Sequence, residues 1–279
     1  MRTIPSKEAR SRLIFALDMG DGIDETLHWV ERLRGHIGVY KVGKEAFTHF
    51  GPEIVRRIQD LGGRVFLDLK FHDIPNTVAK AAEGAVKLGV AMFNVHALGG
   101  REMMEKTVSA VEKTAREAGV EKPLVLAVTV LTSLNDRDLS ELGFHQTTQG
   151  LAAHLAAAAC RAGAGGVVAS PQDILSIRGA CGPDFAIVTP GIRLGGGDGI
   201  FCQANDAHPT TALVSGFGRV DSLMAVNRAR PITLYFNVES HSPRIAISSS
   251  LTRCITPFIA AVWPLLRAPL LMSFIWAMA

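Results

Sequence analysis

The sequence is poor in the residues that build metal sites and disulfide frameworks. It contains four cysteines, Cys160, Cys181, Cys202 and Cys254, without a CxxC spacing or a histidine pattern that would pair with them. Structural zinc sites and disulfide-stabilised secreted domains both depend on such spacings. We therefore expect no metal site, no disulfide framework, and free thiols in a reducing compartment.

A strong excess of charge of one sign is also missing. The net charge is +3 and no run of lysine or arginine occurs, which argues against a nucleic-acid-binding surface. The first residues, MRTIPSKEARSRL, are polar and charged and lack the apolar core of a secretory signal. We expect a cytoplasmic protein that binds a small molecule, such as one that carries a phosphate group.

The sequence does have enough apolar residues for a large core, together with a repeated strand and helix pattern. Hydrophobic residues make up 48% of the chain and charged residues 20%, which is not typical of a disordered protein. Seven short apolar runs are typical of buried strands, and the first six are each followed by a helical pattern. The runs are residues 13–17, 39–42, 65–69, 92–95, 124–130, 166–169 and 186–188.

Alternating strands and helices predict an α/β fold with a parallel sheet, and about eight such units in one domain predict closure into a (β/α)8 TIM barrel. A doubly wound open sheet is the second possibility. The barrel is predicted over residues 1–233, with an atypical last unit whose strand is DSLMAV, residues 221–226. Residues 234–279 are predicted to form a separate apolar tail.

Polar residues at the ends of the apolar runs favour the barrel over the open sheet. In a barrel, the carboxyl ends of all strands converge on one mouth, where active sites of this fold lie. A single Asp or Lys at a strand end is often only a capping or solvated residue, so the interpretation rests on the position that eight residues share. They are Asp18, Lys41, Asp68, Lys70, His96, Thr132, Ser133 and Arg193.

The stretch RVFLDLKFHDIPNT, residues 64–77, carries the most chemistry. Alternation along a strand places Asp68 and Lys70 on one face, and the turn that begins at Phe71 can return Asp73 towards them. Two acids and a base at one strand end stabilise one another's charged forms and can deliver a proton to carbon. A structural ion pair at a strand end is the alternative interpretation.

A second candidate element follows the seventh apolar run. The turn formed by residues 189–191, TPG, precedes Arg193 and the glycine-rich segment LGGGDG, residues 194–199. Backbone N–H groups, a guanidinium and the loops after strands seven and eight form a recurrent phosphate site in barrels. The glycine-rich segment taken alone could equally be a flexible connector.

Five motifs occur in an order that resembles the orotidine 5′-monophosphate decarboxylase family. DLKFHDIPNT, residues 68–77, matches the family signature DxKxxDIPNT. The other four are FALD (15–18), YKVG (40–43), VLTS (130–133) and TPGIR (189–193). The resemblance covers roughly residues 12–216.

The resemblance implies a TIM barrel that decarboxylates orotidine 5′-monophosphate to uridine 5′-monophosphate in pyrimidine biosynthesis, without a cofactor or a metal. The lysine that matches Lys70 protonates C6 of the pyrimidine after carbon dioxide leaves. The acid that matches Asp68 lies beside the substrate carboxylate. The acid that matches Asp73 reaches the site from the second subunit of a homodimer, so the active sites are shared between chains.

The resemblance also implies substrate-binding residues. Lys41 and Asp18 match residues that bind the ribose hydroxyls and hold the charge network, and Thr77 matches a residue that crosses the dimer interface. The remaining candidates for binding the substrate and its phosphate are Thr132, Ser133, Pro190, Arg193, Gln203 and Arg230, with Arg228 as the competitor of Arg230.

The family pattern is lost in the C-terminal segment. Nothing from residue 234 onward resembles the closing helix of the family, and residues 254–279 are strongly apolar. Pro257, Pro264, Pro269 and Arg267 argue against a regular membrane span, because internal prolines remove helix hydrogen bonds and a central arginine is costly in a bilayer. We interpret the segment as divergent or out of frame and expect no membrane contact.

Two other functions are compatible with parts of the pattern. One is that of a related phosphosugar decarboxylase or aldolase, which shares the DxKxxD core but depends on a metal ion. The other is an inactive barrel that binds phosphorylated ligands. The DIPNT and VLTS motifs favour the nucleotide enzyme, and the complete set of acids and lysines argues against an inactive protein.

Overall fold

The structure, a computed structural model, describes residues 10–18, 22–192 and 223–227. Within these residues, eight strands form a closed barrel in which each strand pairs with its neighbours in chain order. The strands are β1 (Leu13–Ala16), β2 (Val39–Gly43), β3 (Val65–Phe71), β4 (Met92–His96), β5 (Leu124–Val128), β6 (Gly166–Val168), β7 (Ala186–Ile192) and β8 (Leu223–Asn227).

Helices connect the strands, and local signals in the sequence explain several of their ends. The helix over residues 75–87 begins with a proline, which suits the first helical turn, and the helix over residues 100–118 ends at Gly119 in the left-handed conformation. The helices are α1 (Ile23–Arg32), α2 (Lys44–Phe50), α3 (Pro52–Asp60), α4 (Pro75–Lys87), α5 (Gly100–Ala118), α6 (Asp136–Glu141), α7 (Thr148–Arg161) and α8 (Ile174–Cys181), with short 3-10 turns at Ala97–Gly99 and Pro171–Asp173.

Strands β1 to β7 are parallel and alternate with helices, which confirms the predicted barrel fold and its first seven strands. The eighth strand, residues 223–227, overlaps the predicted strand of residues 221–226. It runs antiparallel to both of its neighbours. Leu223, at the start of β8, pairs with Ile192, at the end of β7, so β8 enters the sheet at the end where β7 leaves it. This direction needs no crossover along the barrel and is the one departure from the expected parallel arrangement.

The apolar residues of the barrel form two layers. One layer fills the barrel interior and includes Ile14, Phe66 and Leu126, whereas the other lies between the sheet and the helices and includes Ile54 and Phe93. Burial of each such large side chain stabilises the fold by roughly 1.5–3 kcal/mol. Side chains therefore alternate along the strands between the barrel interior and the helix layer.

This alternation places polar side chains at the carboxyl end of the barrel interior. Three neighbouring strands each carry an apolar residue that packs in the interior, followed two positions later by a buried polar residue on the same face. The pairs are Val39 and Lys41 in β2, Phe66 and Asp68 in β3, and Met92 and Asn94 in β4.

No helix among the described residues is long and apolar enough to span a bilayer. The predicted apolar tail, residues 234–279, lies outside the described part of the chain, and so does the end of the predicted barrel domain up to residue 233.

Candidate active site

Lys41 and Asp18 form an ion pair at the barrel mouth. Lys41 ends the inward face of β2 and is buried, and its Nζ donates to Asp18 Oδ1 at 3.1 Å and to Oδ2 at 2.9 Å. Asp18 follows β1, and its side chain is about one third exposed. Gly43 leaves room for the pair, because a Cβ at this position would lie 2.9 Å from Asp18 Oδ1 and 3.0 Å from Lys41 Nζ.

Asp68 is the centre of the charge network. Its residue is 5% exposed, and Lys70 Nζ donates to its Oδ1 at 2.7 Å, while Lys41 Nζ lies 3.6 Å from its Oδ2. Asp18, Lys41, Asp68 and Lys70 thus form a chain of contacts in which the sign of the charge alternates. Asp68 and Lys70, which were predicted to share one face of the strand, are in direct contact.

Two opposing effects act on the ionisation of Asp68. Burial alone would raise the pKa of its carboxyl group, but the charges of Lys41 and Lys70, with hydrogen bonds from Lys70 and Asn94, outweigh burial and hold the pKa below its ordinary value. Asp68 is therefore a carboxylate at neutral pH. A fixed negative charge next to an ammonium group is thus held in a site that is largely closed to solvent.

The backbone at Lys70 is unusual. Its φ is +52°, and among the described residues no other residue except glycine has a positive φ. The pairing of β3 with β4 shifts between Leu67 and Phe71, so the regular ladder is interrupted at this position. Strained backbone of this kind concentrates at functional sites, where the surrounding structure holds it in place.

Asn94 belongs to none of the five sequence motifs, but it contacts both Asp68 and Lys70 of β3. Its Oδ1 accepts a hydrogen bond from the Lys70 N–H at 2.7 Å, and its Nδ2 donates to Asp68 Oδ1 at 2.6 Å. The signal in the sequence was one polar residue inside the apolar run of residues 92–95. A polar side chain in a predicted buried strand needs hydrogen-bond partners, and this requirement could have identified Asn94 as a candidate site residue.

Two histidines stack beside the network. His96 ends β4 as predicted, and its ring lies 5.2 Å from that of His72, nearly parallel to it. Burial, assisted by the charges of His72, Lys70 and Lys44, lowers the pKa of His96 to about 4. His96 is therefore neutral at pH 7 and accepts a long hydrogen bond from the Leu98 N–H at Nδ1, 3.4 Å away.

Asp73 and Thr77 do not join the network within their own chain. Both are exposed; Asp73 Oδ1 accepts a hydrogen bond from the Ile74 N–H at 2.6 Å, and Thr77 lies in the first turn of α4. Among the described residues, neither Lys41 nor Lys70 forms an ion pair with Asp73. The structure therefore does not show the return of Asp73 towards Lys70 that the turn at Phe71 allowed.

The remaining candidates lie near the carboxyl ends of β5 and β7 or outside the described residues. Thr132 is half-buried and Ser133 is exposed in the loop after β5, while Pro190 is half-buried within β7. Their position places them on the same end of the barrel as Lys70. The candidates outside the described residues are Arg193, Gln203, Arg228 and Arg230.

The arrangement can hold an anionic ligand and supply a proton to it. Lys70 is partly accessible, with a side chain 29% exposed, whereas Asp68 and Lys41 lie below it in the barrel. In the described part of the chain, no group of three or more His, Cys, Asp or Glu side chains is placed to hold a metal ion. The chemistry available from these residues includes electrostatic stabilisation and proton transfer.

Comparison with known proteins points to one family. Residues 11–212 match the model of the family described as Orotidine 5'-phosphate decarboxylase / HUMPS family. Two curated relatives, both named Orotidine 5'-phosphate decarboxylase, come from Syntrophus aciditrophicus (strain SB) and Syntrophotalea carbinolica. The first is 65% identical over 192 residues, covering 69% of this chain and 76% of the relative. The second is 52% identical over 213 residues, covering 75% and 85%.

A solved structure shows the same similarity in three dimensions. The crystal structure of Orotidine 5'-phosphate decarboxylase from Lactobacillus acidophilus is 35% identical to this chain and superimposes with a TM-score of 0.57. The superposition covers 62% of this chain and 77% of that chain.

Proposed function

The chain belongs to the orotidine 5'-phosphate decarboxylase / HUMPS family, and from this membership we propose that it decarboxylates orotidine 5′-monophosphate to uridine 5′-monophosphate. It is thus a carboxy-lyase of pyrimidine biosynthesis. The observation that supports this reaction best is the buried carboxylate of Asp68, held against the ammonium group of Lys70 at the barrel mouth.

Lys70 is the proton donor in this proposal. When the bond between C6 and the carboxylate carbon breaks, carbon dioxide leaves and the electron pair stays on C6. The adjacent ammonium group stabilises this negative charge and then transfers one proton to C6, which leaves a neutral amine that solvent protonates again. An enzyme without a cofactor has to supply fixed positive charge and a nearby proton, and Lys70 supplies both.

Asp68 accelerates the reaction by destabilising the bound substrate more than the transition state. Its negative charge faces the position of the substrate carboxylate, so the bound substrate is repelled, whereas uncharged carbon dioxide is not. Lys41 limits this repulsion, because its Nζ lies 3.6 Å from Asp68 Oδ2. Interactions that differ between the bound substrate and the transition state are the ones that accelerate the chemical step.

Lys41 and Asp18 bind the ribose of the substrate in this proposal. Their ion pair lies beside Asp68 but does not contact Lys70, which leaves C6 to Lys70 alone. Both partners retain hydrogen-bonding capacity, since an ammonium group has three donors and a carboxylate has two oxygens. A diol can therefore replace water at this pair without breaking it.

The phosphate binds at the far side of the mouth, through Thr132, Ser133, Pro190, Arg193, Gln203 and Arg230. Support comes from the position of the described members of this set: Thr132 and Ser133 follow β5, and Pro190 lies near the carboxyl end of β7. Phosphate sites in barrels recur in this region. Binding energy from the remote phosphate then organises the site, so that losing it reduces turnover as well as affinity.

The enzyme acts as a homodimer in which Asp73 and Thr77 complete the site of the other subunit. Two observations support this assembly. Asp73 is exposed and is not part of the network of its own chain. Large apolar residues are also exposed after three neighbouring strands at the mouth, namely Ile74, Leu98 and Leu131. Large exposed apolar residues that follow neighbouring strands at one end of a barrel are candidates for an interaction site.

The first experiment measures turnover with the purified full-length protein. Loss of orotidine 5′-monophosphate absorbance is followed without added metal and with a chelator, for the wild type and for Lys70→Ala. We expect turnover in the wild type and a loss of at least about 1,000-fold in the variant, because the proton donor is removed. Lys106→Ala, which removes an exposed lysine paired with Glu102 on α5, is the matched control.

The two alternative functions give different results. A wild type that leaves orotidine 5′-monophosphate unchanged, but converts a phosphosugar substrate only when a divalent metal is added and no chelator is present, would indicate a metal-dependent phosphosugar enzyme. Binding of uridine 5′-monophosphate without turnover in a folded wild type would indicate an inactive barrel. Wild-type turnover in Lys70→Ala would contradict the proposed role of Lys70.

A further inference from the structure

We propose that Asn94 is a positioning residue of this active site, and that its side-chain amide holds the Lys70 backbone and the Asp68 carboxylate in one fixed arrangement. The role rests on the proposed decarboxylation, because it concerns the same two catalytic residues. Asn94 does not contact the substrate in this proposal and acts only through its neighbours.

The amide of Asn94 uses its acceptor end and its donor end on different partners. Its Oδ1 accepts from the Lys70 N–H at 2.7 Å, and its Nδ2 donates to Asp68 Oδ1 at 2.6 Å. The side chain is completely buried, so water cannot replace either hydrogen bond. An amide of this length offers an acceptor to one partner and a donor to the other at the same time, without a change in protonation.

The hydrogen bond to the Lys70 backbone replaces a lost contact of the sheet. At this position the β3 and β4 pairing shifts, and Lys70 has a φ of +52°, which removes its N–H from the regular ladder. A buried N–H without an acceptor is costly. Asn94 lies on the neighbouring strand and supplies the acceptor, so it stabilises the unusual backbone that directs the lysine side chain.

The hydrogen bond to Asp68 fixes the orientation of the carboxylate. Lys70 Nζ and Asn94 Nδ2 both donate to Oδ1, at 2.7 Å and 2.6 Å, whereas Lys41 faces Oδ2. Rotation of the carboxylate would break both short hydrogen bonds. The distance between the proton donor and the acid is thus set from two sides by one buried residue.

Asn94→Ala tests the role directly. We expect kcat to fall about 100-fold with KM changed far less, because a small misplacement of a reacting group can cost this much. The matched control is Thr107→Val, which removes another fully buried hydrogen bond, from Thr107 Oγ1 to the Met103 carbonyl within α5. The control should retain kcat even where its melting temperature falls.

Asn94→Asp provides a second readout that a purely structural role would not change. The introduced side chain can still accept from the Lys70 N–H, but it needs a proton to donate to Asp68. The charged groups that face Asp68 are Lys41 from β2 and Lys70 from β3. As the pH falls, the carboxyl group introduced at position 94 and that of Asp68 together take up a proton. We therefore expect the kcat of the variant, divided by that of the wild type, to rise as the pH falls.

A measurement on Asp68 separates this inference from the proposed function. The carboxyl carbon of Asp68 is followed by nuclear magnetic resonance during an acid titration of the wild type and of Asn94→Ala. We expect the pKa of Asp68 to be higher in the variant, because one of its hydrogen bonds is lost. If the wild type does not turn over orotidine 5′-monophosphate, the proposed function fails and this titration still decides the role of Asn94.

Two results would overturn the inference. One is an Asn94→Ala protein with wild-type kcat and an unchanged Asp68 titration. The other is a loss of kcat in Thr107→Val equal to that in Asn94→Ala, which would show that any buried polar substitution has the same effect. If Asn94→Ala does not fold, the pH-dependent ratio of Asn94→Asp decides, and a ratio that stays constant with pH contradicts the proposal.

Discussion

A single glycine limits how the charge network can be built. Gly43 has a φ of −83°, which any residue can adopt, so the only obstacle to a larger residue is space. An added Cβ would lie at 2.9 Å and 3.0 Å from the two charged atoms of the Asp18 and Lys41 pair. Both atoms are side-chain ends held by their ion pair, so an added Cβ has to shift at least one of them.

We therefore expect Gly43→Ala to lower kcat/KM by on the order of 10-fold, since the ion pair that we propose to bind ribose is displaced. Gly84→Ala is the matched control, because a Cβ at this exposed position of α4 meets no atom within 4 Å. That control should keep its activity and gain about 0.5–1 kcal/mol in the free energy of unfolding. Steady-state kinetics and urea unfolding measure the two effects, and equal kinetics for the two variants would contradict the crowding argument.

Strand alternation predicts some of these residues and not others. Asp68 and Lys70 could be placed on one face from the sequence, because the period of two is a property of any strand. Asn94 could not be assigned a role in this way, since one polar residue in an apolar run forms no motif. The positive φ of Lys70 and the break in pairing beside it decide what Asn94 contacts, and neither follows from side-chain pattern.

At the scale of the elements, the order of strands was predictable and one direction was not. Each apolar run is long enough to mark a strand, and the intervening helices force the first seven strands to be parallel. The pattern of β8 identifies a strand but carries no information about its direction. Its pairing partners show that it runs antiparallel to β7 and β1.

A buried acid at the start of α8 gives this element a pH-dependent stability. Asp173 closes the capping box with Ser170, is 7% exposed, and has a pKa that burial raises to about 6 in spite of the hydrogen bond from the Ser170 N–H. The ordinary pKa of about 3.9 applies to the unfolded chain. The unfolded state therefore ionises first, and the protein loses stability as the pH rises from about 4 to about 6.

We expect Asp173→Asn to remove this loss, because an asparagine oxygen can still accept the hydrogen bond but does not ionise. The free energy of unfolding of the variant relative to the wild type should rise by roughly 1–3 kcal/mol across that window and then stay constant. Urea unfolding at several pH values measures the difference. Asp138→Asn, which changes the acid of the half-buried capping box of α6, is the control variant. An Asp173→Asn protein that is less stable than the wild type above pH 6 would contradict the argument.

At the scale of the molecule, the closed barrel brings groups from distant parts of the sequence to one mouth. Four consecutive strands each contribute one polar residue at or just after the strand, and these residues are far apart in the sequence. They are Asp18, Lys41, Asp68 and Asn94. Because the sequence predicts a barrel, it also predicts that the residues at the carboxyl ends of the strands converge at one mouth. It could not predict which groups touch, because the contacts depend on the register between neighbouring strands.

The proposed assembly can be tested by mixing two inactive proteins. Lys70→Ala lacks the proton donor but keeps Asp73, and Asp73→Ala lacks the acid but keeps Lys70. If Asp73 completes the site of the other subunit, a mixed dimer contains one site with both residues and one site with neither. Random exchange of equal amounts should then restore about a quarter of the wild-type activity.

If Asp73 instead acted within its own chain, every site in the mixture would lack one residue and activity would stay at the level of the separate variants. Mixing each variant with Lys70→Ala/Asp73→Ala is the control for subunit exchange, since no complete site can form in it. A mass measurement on differently tagged chains establishes that mixed dimers exist. Restored activity would then place Asp73 in the partner's site, which explains why its carboxylate is exposed and apart from Lys70 in a single chain.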